Sequence, residues 1–265
     1  MTSKLLLSFW ALSLAPSIFA WVHISELKPR LPVSPSQPNI IFHWNGDAPE
    51  LDDKDEVFAG KYSQASNSEL MEALLDAAVA TWNAVETTYI KMQITTDSSA
   101  QMDENDEIFS IVVAEQESVA VAAAAQPSFI SQDPNPSANE SNPHIIHDCD
   151  ISVSTAKVSA KSLLRTLVHE LGHCLGLGHP HASYASIMSY ASSSQGSSLA
   201  LDDKAAVSFL YPRPGQSQKV QYLTTCGSLG SDASAAGWAG ILTLVPVLSL
   251  GLRLLFRRFR SNRNF

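Results

Sequence analysis

One short run of the chain holds three histidines and a glutamate at spacings that do chemistry. It reads His169-Glu170-Leu171-Gly172-His173-Cys174-Leu175-Gly176-Leu177-Gly178-His179. On a helix, His169 and His173 share one face with Cβ atoms about 6 Å apart, which suits two imidazoles on one ion. Glu170 is too short a step from His169 to share that ion. It points instead to where an activated water sits, as a general base requires. Gly176 suits the left-handed conformation that ends a helix and swings the chain back. His179 then reaches the same ion as a third ligand. Three imidazoles leave the fourth position of a zinc ion open, the pattern of a catalytic rather than a structural site. HExxH alone is a weak signal, and Gly176 and His179 at their spacings make it a strong one.

The run is similar to the HExxHxxGxxH signature of the metzincin metalloproteases. The resemblance implies that Met188, in Ser186-Ile187-Met188-Ser189-Tyr190, is the methionine placed in a turn under the metal. It implies that Tyr190 lies near the zinc and helps stabilise the oxyanion, as in astacin- and serralysin-type members. The likeness covers roughly residues 39–214, is sharp over 165–190, and is that of a small bacterial matrixin-like (M10/M12-type) domain. The fold implied is α+β: a twisted mixed β-sheet packed on an early helix and the active-site helix, with a small C-terminal subdomain after the third histidine. The activity implied is zinc-dependent cleavage of proteins or peptides. No PRCGxPD-like segment supports a cysteine-switch propeptide, and no GGxGxD repeats follow. A relative kept only for binding would usually lack the base or a ligand, and this chain lacks neither.

The elements that must position these residues are legible in part. Asn39–Trp44 reads as a strand. Ser66 and Glu69 have capping-box spacing, and Leu70, Met71, Leu74, Leu75, Ala78 and Trp82 recur at helical period behind them. Residues 89–95, 108–114 and 145–153 read as further strands. The main helix starts near Ala160, with Leu164, Leu167, Val168, Leu171 and Leu175 as its apolar stripe. Asp202 and Asp203 open a last short helix, where acidic side chains suit the positive end of the helix dipole. Residues 119–145, rich in Ala, Ser and Pro, read as a long surface segment. Asp103, Glu104, Asp106 and Glu107 form an acidic turn; calcium is conceivable there, but a solvated loop explains it without an ion. His43, His144, His147 and His181 read as ordinary partly exposed histidines.

Composition bounds the partners. The 265 residues carry a net charge of −9, and residues 21–213 hold 10 Lys/Arg against 25 Asp/Glu. So acidic a body repels phosphate backbones, which excludes nucleic acid as a partner. Residues 1–20 have the charged start, apolar run and small final residue of a signal peptide. Residues 21–38 are an exposed lead-in, too short for a globular prodomain but able to occlude the cleft. The catalytic domain is expected over 39–214, a linker over 215–236, an apolar segment over 237–257 and a basic cytoplasmic tail over 258–265. The apolar segment is open to two readings: a membrane anchor, or a C-terminal sorting signal cut by a membrane protease with Cys226 as the processing position. Export permits a disulfide. Cys149 and Cys174 are either such a bond or two buried thiols.

Overall fold

The computed structural model of the protein describes residues 21–25, 28–115, 122–131, 144–180, 185–190 and 196–215. Two compact units divide the chain, Met1–Cys226 and Gly227–Phe265. The second lies wholly outside the described residues, as do the signal segment, Cys226 and the 237–257 apolar segment. No helix among the described residues is long and apolar enough to cross a membrane.

The first unit is a five-stranded sheet backed by helices. Its strands are β1 (Asn39–Trp44), β3 (Lys91–Thr96), β4 (Phe109–Ala114), β5 (Ala123–Ser131) and β6 (His144–Ser154), in the order β3-β1-β4-β6-β5. All neighbours run parallel except β5, which pairs antiparallel with β6 at one edge. A two-residue β2 (Leu51–Asp52) pairs with β7 (Val158–Ser159). In β1, Ile40, Phe42 and Trp44 point into the core, as alternation on a half-buried strand demands. The architecture is α+β and mixed, as expected.

Helix α1 (Asn67–Asn83) starts at Ser66, whose side chain and that of Glu69 cap each other's backbone N–H groups. Its buried face, Leu70, Met71, Leu74, Leu75, Ala78, Val79 and Trp82, lies against α2 (Ala160–Cys174) and β3. The Trp82 indole N–H donates to the Val168 carbonyl at 2.9 Å, fixing one helix on the other. Leu163, Leu167, Val168, Leu171 and Leu175 are fully buried. Leu163 therefore anchors the stripe where Leu164 was expected, and Leu164 is only half-buried. A disulfide joins Cys149 on β6 to Cys174 at the end of α2, 25 residues apart. Closing such a loop contributes ~3 kcal/mol through the unfolded chain. Helix α3 (Leu201–Leu210) completes the unit.

Two expectations are corrected. Residues 119–145 are not wholly irregular, because β5 lies within them. Ala-rich sequence and Pro127 argue against a strand, but an edge position tolerates a proline that cannot donate to a ladder. The lead-in is not an exposed arm either: Leu31 is buried and the segment around it is laced to the domain.

On β6, Asp150 is satisfied by the amides of Asp103 and Ser110, so the acidic turn is tied to the sheet. Asp148 is fully buried and neither carboxyl oxygen has a hydrogen-bond partner of normal geometry. Burial first, then the charges of Asp150 and Asp106, push its pKa up to about 7; the Cys149 and Glu107 amides oppose this only weakly. The folded protein thus holds a proton that the unfolded chain, with an Asp pKa of ~3.9, has already released. Stability contributed by this site falls as pH rises from about 4 to about 7. Asp148→Asn should flatten that dependence and raise the melting temperature most above neutrality. Melting curves recorded from pH 4.5 to 8.5 check this, and parallel wild-type and variant profiles would refute it.

Candidate metal centre

Helix α2 ends in a turn that orients the second histidine. Gly176 has φ +90°. Leu177 N–H donates to the Gly172 carbonyl at 3.0 Å and Gly176 N–H to that of His173 at 2.8 Å, the Schellman pattern. The Leu177 carbonyl this turn presents lies 2.7 Å from His173 Nδ1. The Ile187 carbonyl lies 2.7 Å from His169 Nδ1. A carbonyl only accepts, so each Nδ1 carries the ring proton and each Nε2 is left with a lone pair.

Those lone pairs converge. The Nε2 atoms of His169, His173 and His179 lie 3.0–3.1 Å from one another. With the protons of His169 and His173 at Nδ1, the 3.1 Å approach of their Nε2 atoms is not a hydrogen bond. Burial disfavours the charged form of both rings: it lowers the His169 pKa and takes that of His173 down to about 3. Zinc–nitrogen bonds of ~2.0–2.1 Å put tetrahedral ligand atoms roughly 3.3 Å apart, so the triad fits a zinc ion. It is the metal-capable cluster among the described residues.

Glu170, the next residue along the helix, is also buried, and its carboxylate accepts the Ala125 N–H of edge strand β5 at 2.8 Å. Burial is the first cause of its pKa rising to about 7, and the Ala125 amide opposes it. Met188 is buried directly under the helix: a Cβ on Gly172 would collide with its sulfur. Tyr190 is exposed, and its ring stacks on the His179 imidazole with centroids 3.6 Å apart. The other histidines lie apart from the triad. His43 pairs with Asp97 at 3.2 Å. His144 and His147 are on β6. His181 lies outside the described residues.

Residues 39–212 match the family model of the matrixins, peptidase family M10. The chain is a matrixin. It is a zinc metalloendopeptidase whose metal site is the His169, His173 and His179 triad. A comparison with curated proteins finds no significant match.

One supporting residue of this matrixin was not legible as such. Asp203 reads in sequence as a helix-start acid. Its Oδ2 accepts the N–H groups of Ala200 at 2.8 Å and Ile187 at 3.0 Å, and its Oδ1 accepts the Ser186 hydroxyl at 2.5 Å. The Ser186 hydroxyl oxygen in turn accepts the Met188 N–H. Asp203 therefore fixes the Ile187 peptide that holds His169 and the turn that carries Met188. The two adjacent aspartates in the first turn of α3 are the available signal, but only the fold shows which distant groups Asp203 binds. Replacing groups that orient metal ligands costs roughly 10–100-fold in metal affinity. Asp203→Asn should weaken zinc binding on that scale, measured by competition with a chromogenic chelator. Unchanged affinity would remove Asp203 from the ligand support.

Proposed function

We propose that this matrixin cleaves proteins outside the cytoplasm, with Glu170 as the general base. The observation that carries the assignment is the carboxylate of Glu170: buried, one residue from a ligand histidine, and held at the sheet edge by the Ala125 N–H. Zinc held by the triad supplies Lewis-acid activation of water and of the scissile carbonyl. Glu170 takes the proton of the attacking water and passes it to the leaving amine. Tyr190, whose exposed ring stacks on His179, donates its hydroxyl to the negative charge developing on the carbonyl oxygen. Gly176 and Met188 are structural: one ends the helix, the other supports its floor.

The substrate is an extended stretch of polypeptide. Strand β5 ends the sheet, antiparallel to β6, with its Ala125 N–H on the Glu170 carboxylate, and such an edge accepts a further strand through main-chain hydrogen bonds. Export is supported by the signal-like residues 1–20 and by the Cys149–Cys174 bond, which suits an oxidising compartment. The 237–257 segment and its basic end then hold the enzyme at the envelope, either as an anchor or until processing at Cys226.

The test is Glu170→Gln. The variant should keep its zinc and lose about 10²–10⁴-fold in kcat on an unfolded protein substrate. Retained turnover in a zinc-loaded variant would contradict the assignment.

A further inference from the structure

His173 sits on a rigid helix, but His179 does not. It hangs on the loop after the Gly176 turn, and something must hold that loop against its own conformational freedom. The described contacts show what does. Ile24 N–H donates to the Gly176 carbonyl at 2.9 Å, and Gly178 N–H donates to the Val22 carbonyl at 2.7 Å. His23 faces Leu177 in an antiparallel bridge. The segment at 22–24 is thus a strand laid on the very residues that separate the second ligand from the third.

The fit is close enough to dictate sequence. A Cβ on Gly178 would collide with the His23 carbonyl, and one on Gly176 would lie 2.5 Å from the Pro29 carbonyl oxygen. Further anchors fix the segment itself. Arg30 pairs with β6 through the His144 carbonyl and the Ile146 amide, both at 3.0 Å. The Tyr211 hydroxyl accepts the Leu31 N–H at 3.0 Å and donates to the Leu175 carbonyl at 2.9 Å. One buried phenol therefore clasps the lead-in to the end of the metal helix. Trp21 packs on Phe209 of α3 with ring centroids 5.0 Å apart.

We propose that residues 22–24, anchored by residues 29–31, are a positioning strap that holds the His179 loop in its ligating conformation. The inference rests on the triad being the zinc site. It reverses the sign expected of a lead-in that blocks the cleft: loss of the strap inactivates the enzyme by releasing metal, and never activates it. These are positioning residues: they lie outside the histidine triad and act through the loop that carries His179.

Proline at position 24 removes the N–H that bonds the ligand loop. Proline at position 30 removes one that bonds β6 instead. In the full chain, Ile24→Pro should release zinc to a chelator about 10–100-fold faster than wild type, the scale for lost ligand support, and Arg30→Pro far less so. Equal release from the two variants, or a faster peptidase in Ile24→Pro, would overturn the strap. A measurement on the wild type covers the case in which a variant does not fold. Support of the metal by the strap must be reciprocated. Removing zinc should therefore speed hydrogen exchange at the Ile24 and Gly178 amides well above any change at Ile146. Exchange at Ile24 and Gly178 that is indifferent to zinc would overturn the proposal. A wild-type chain that binds no zinc would instead overturn the site on which it rests.

Discussion

Two imidazoles whose Nε2 lone pairs face one another, with the Nε2 of a third ring at the same point, crowd one another unless a cation sits between them. The Nε2 atoms of His169, His173 and His179 are held at 3.0–3.1 Å, and most of the domain's special features serve to hold them there. Burial works against protonating His169 and His173 to relieve the crowding, since an imidazolium removed from water is disfavoured. Backbone carbonyls at Nδ1 fix which nitrogen faces the centre. The cost of this arrangement is offset only when metal binds, which couples zinc to the order of everything around it.

The supports come from four separate parts of the chain. Helix α2 sets two ligands by its pitch. The turn at Gly176 sets the ring of His173 through the Leu177 carbonyl. Asp203, from α3, sets His169 through the Ile187 peptide. The segment at 22–24 lies across the loop to His179. The disulfide and the Trp82 bond to Val168 tie α2 to β6 and α1, so the helix is a fixed platform rather than a mobile one. On that platform Glu170 reaches the edge of the sheet, where its carboxylate accepts the Ala125 N–H of β5.

Local signals were the readable ones. The ligands, the base, the capping box at Ser66 and the strand Asn39–Trp44 follow from spacing and period, and spacing is written in sequence directly. Strand β5 was missed because its residues are poor strand formers. It exists because β6 offers a long edge to pair with, a tertiary fact that overrides propensity. Leu163 and Leu164 were exchanged because a stripe read at fixed period does not know where the neighbouring helix lies. Asp203 opens the helix as expected, and its further role, like the seating of the lead-in, is illegible in sequence for a common reason. The partners that matter are backbone groups far along the chain, and a local spacing pattern does not record a contact of that range. Gly178 was the faint trace, a glycine with no turn to explain it.

One zinc ion is held by these three histidines. X-ray absorption at the zinc edge, on the purified full chain loaded with one equivalent, tests it most directly. The expected shell is three imidazole nitrogens at ~2.0–2.1 Å, with the remaining ligation from light oxygen donors. Replacing His179 with alanine should remove one imidazole from that shell. A shell containing sulfur, or one unaltered in His179→Ala, would contradict the account.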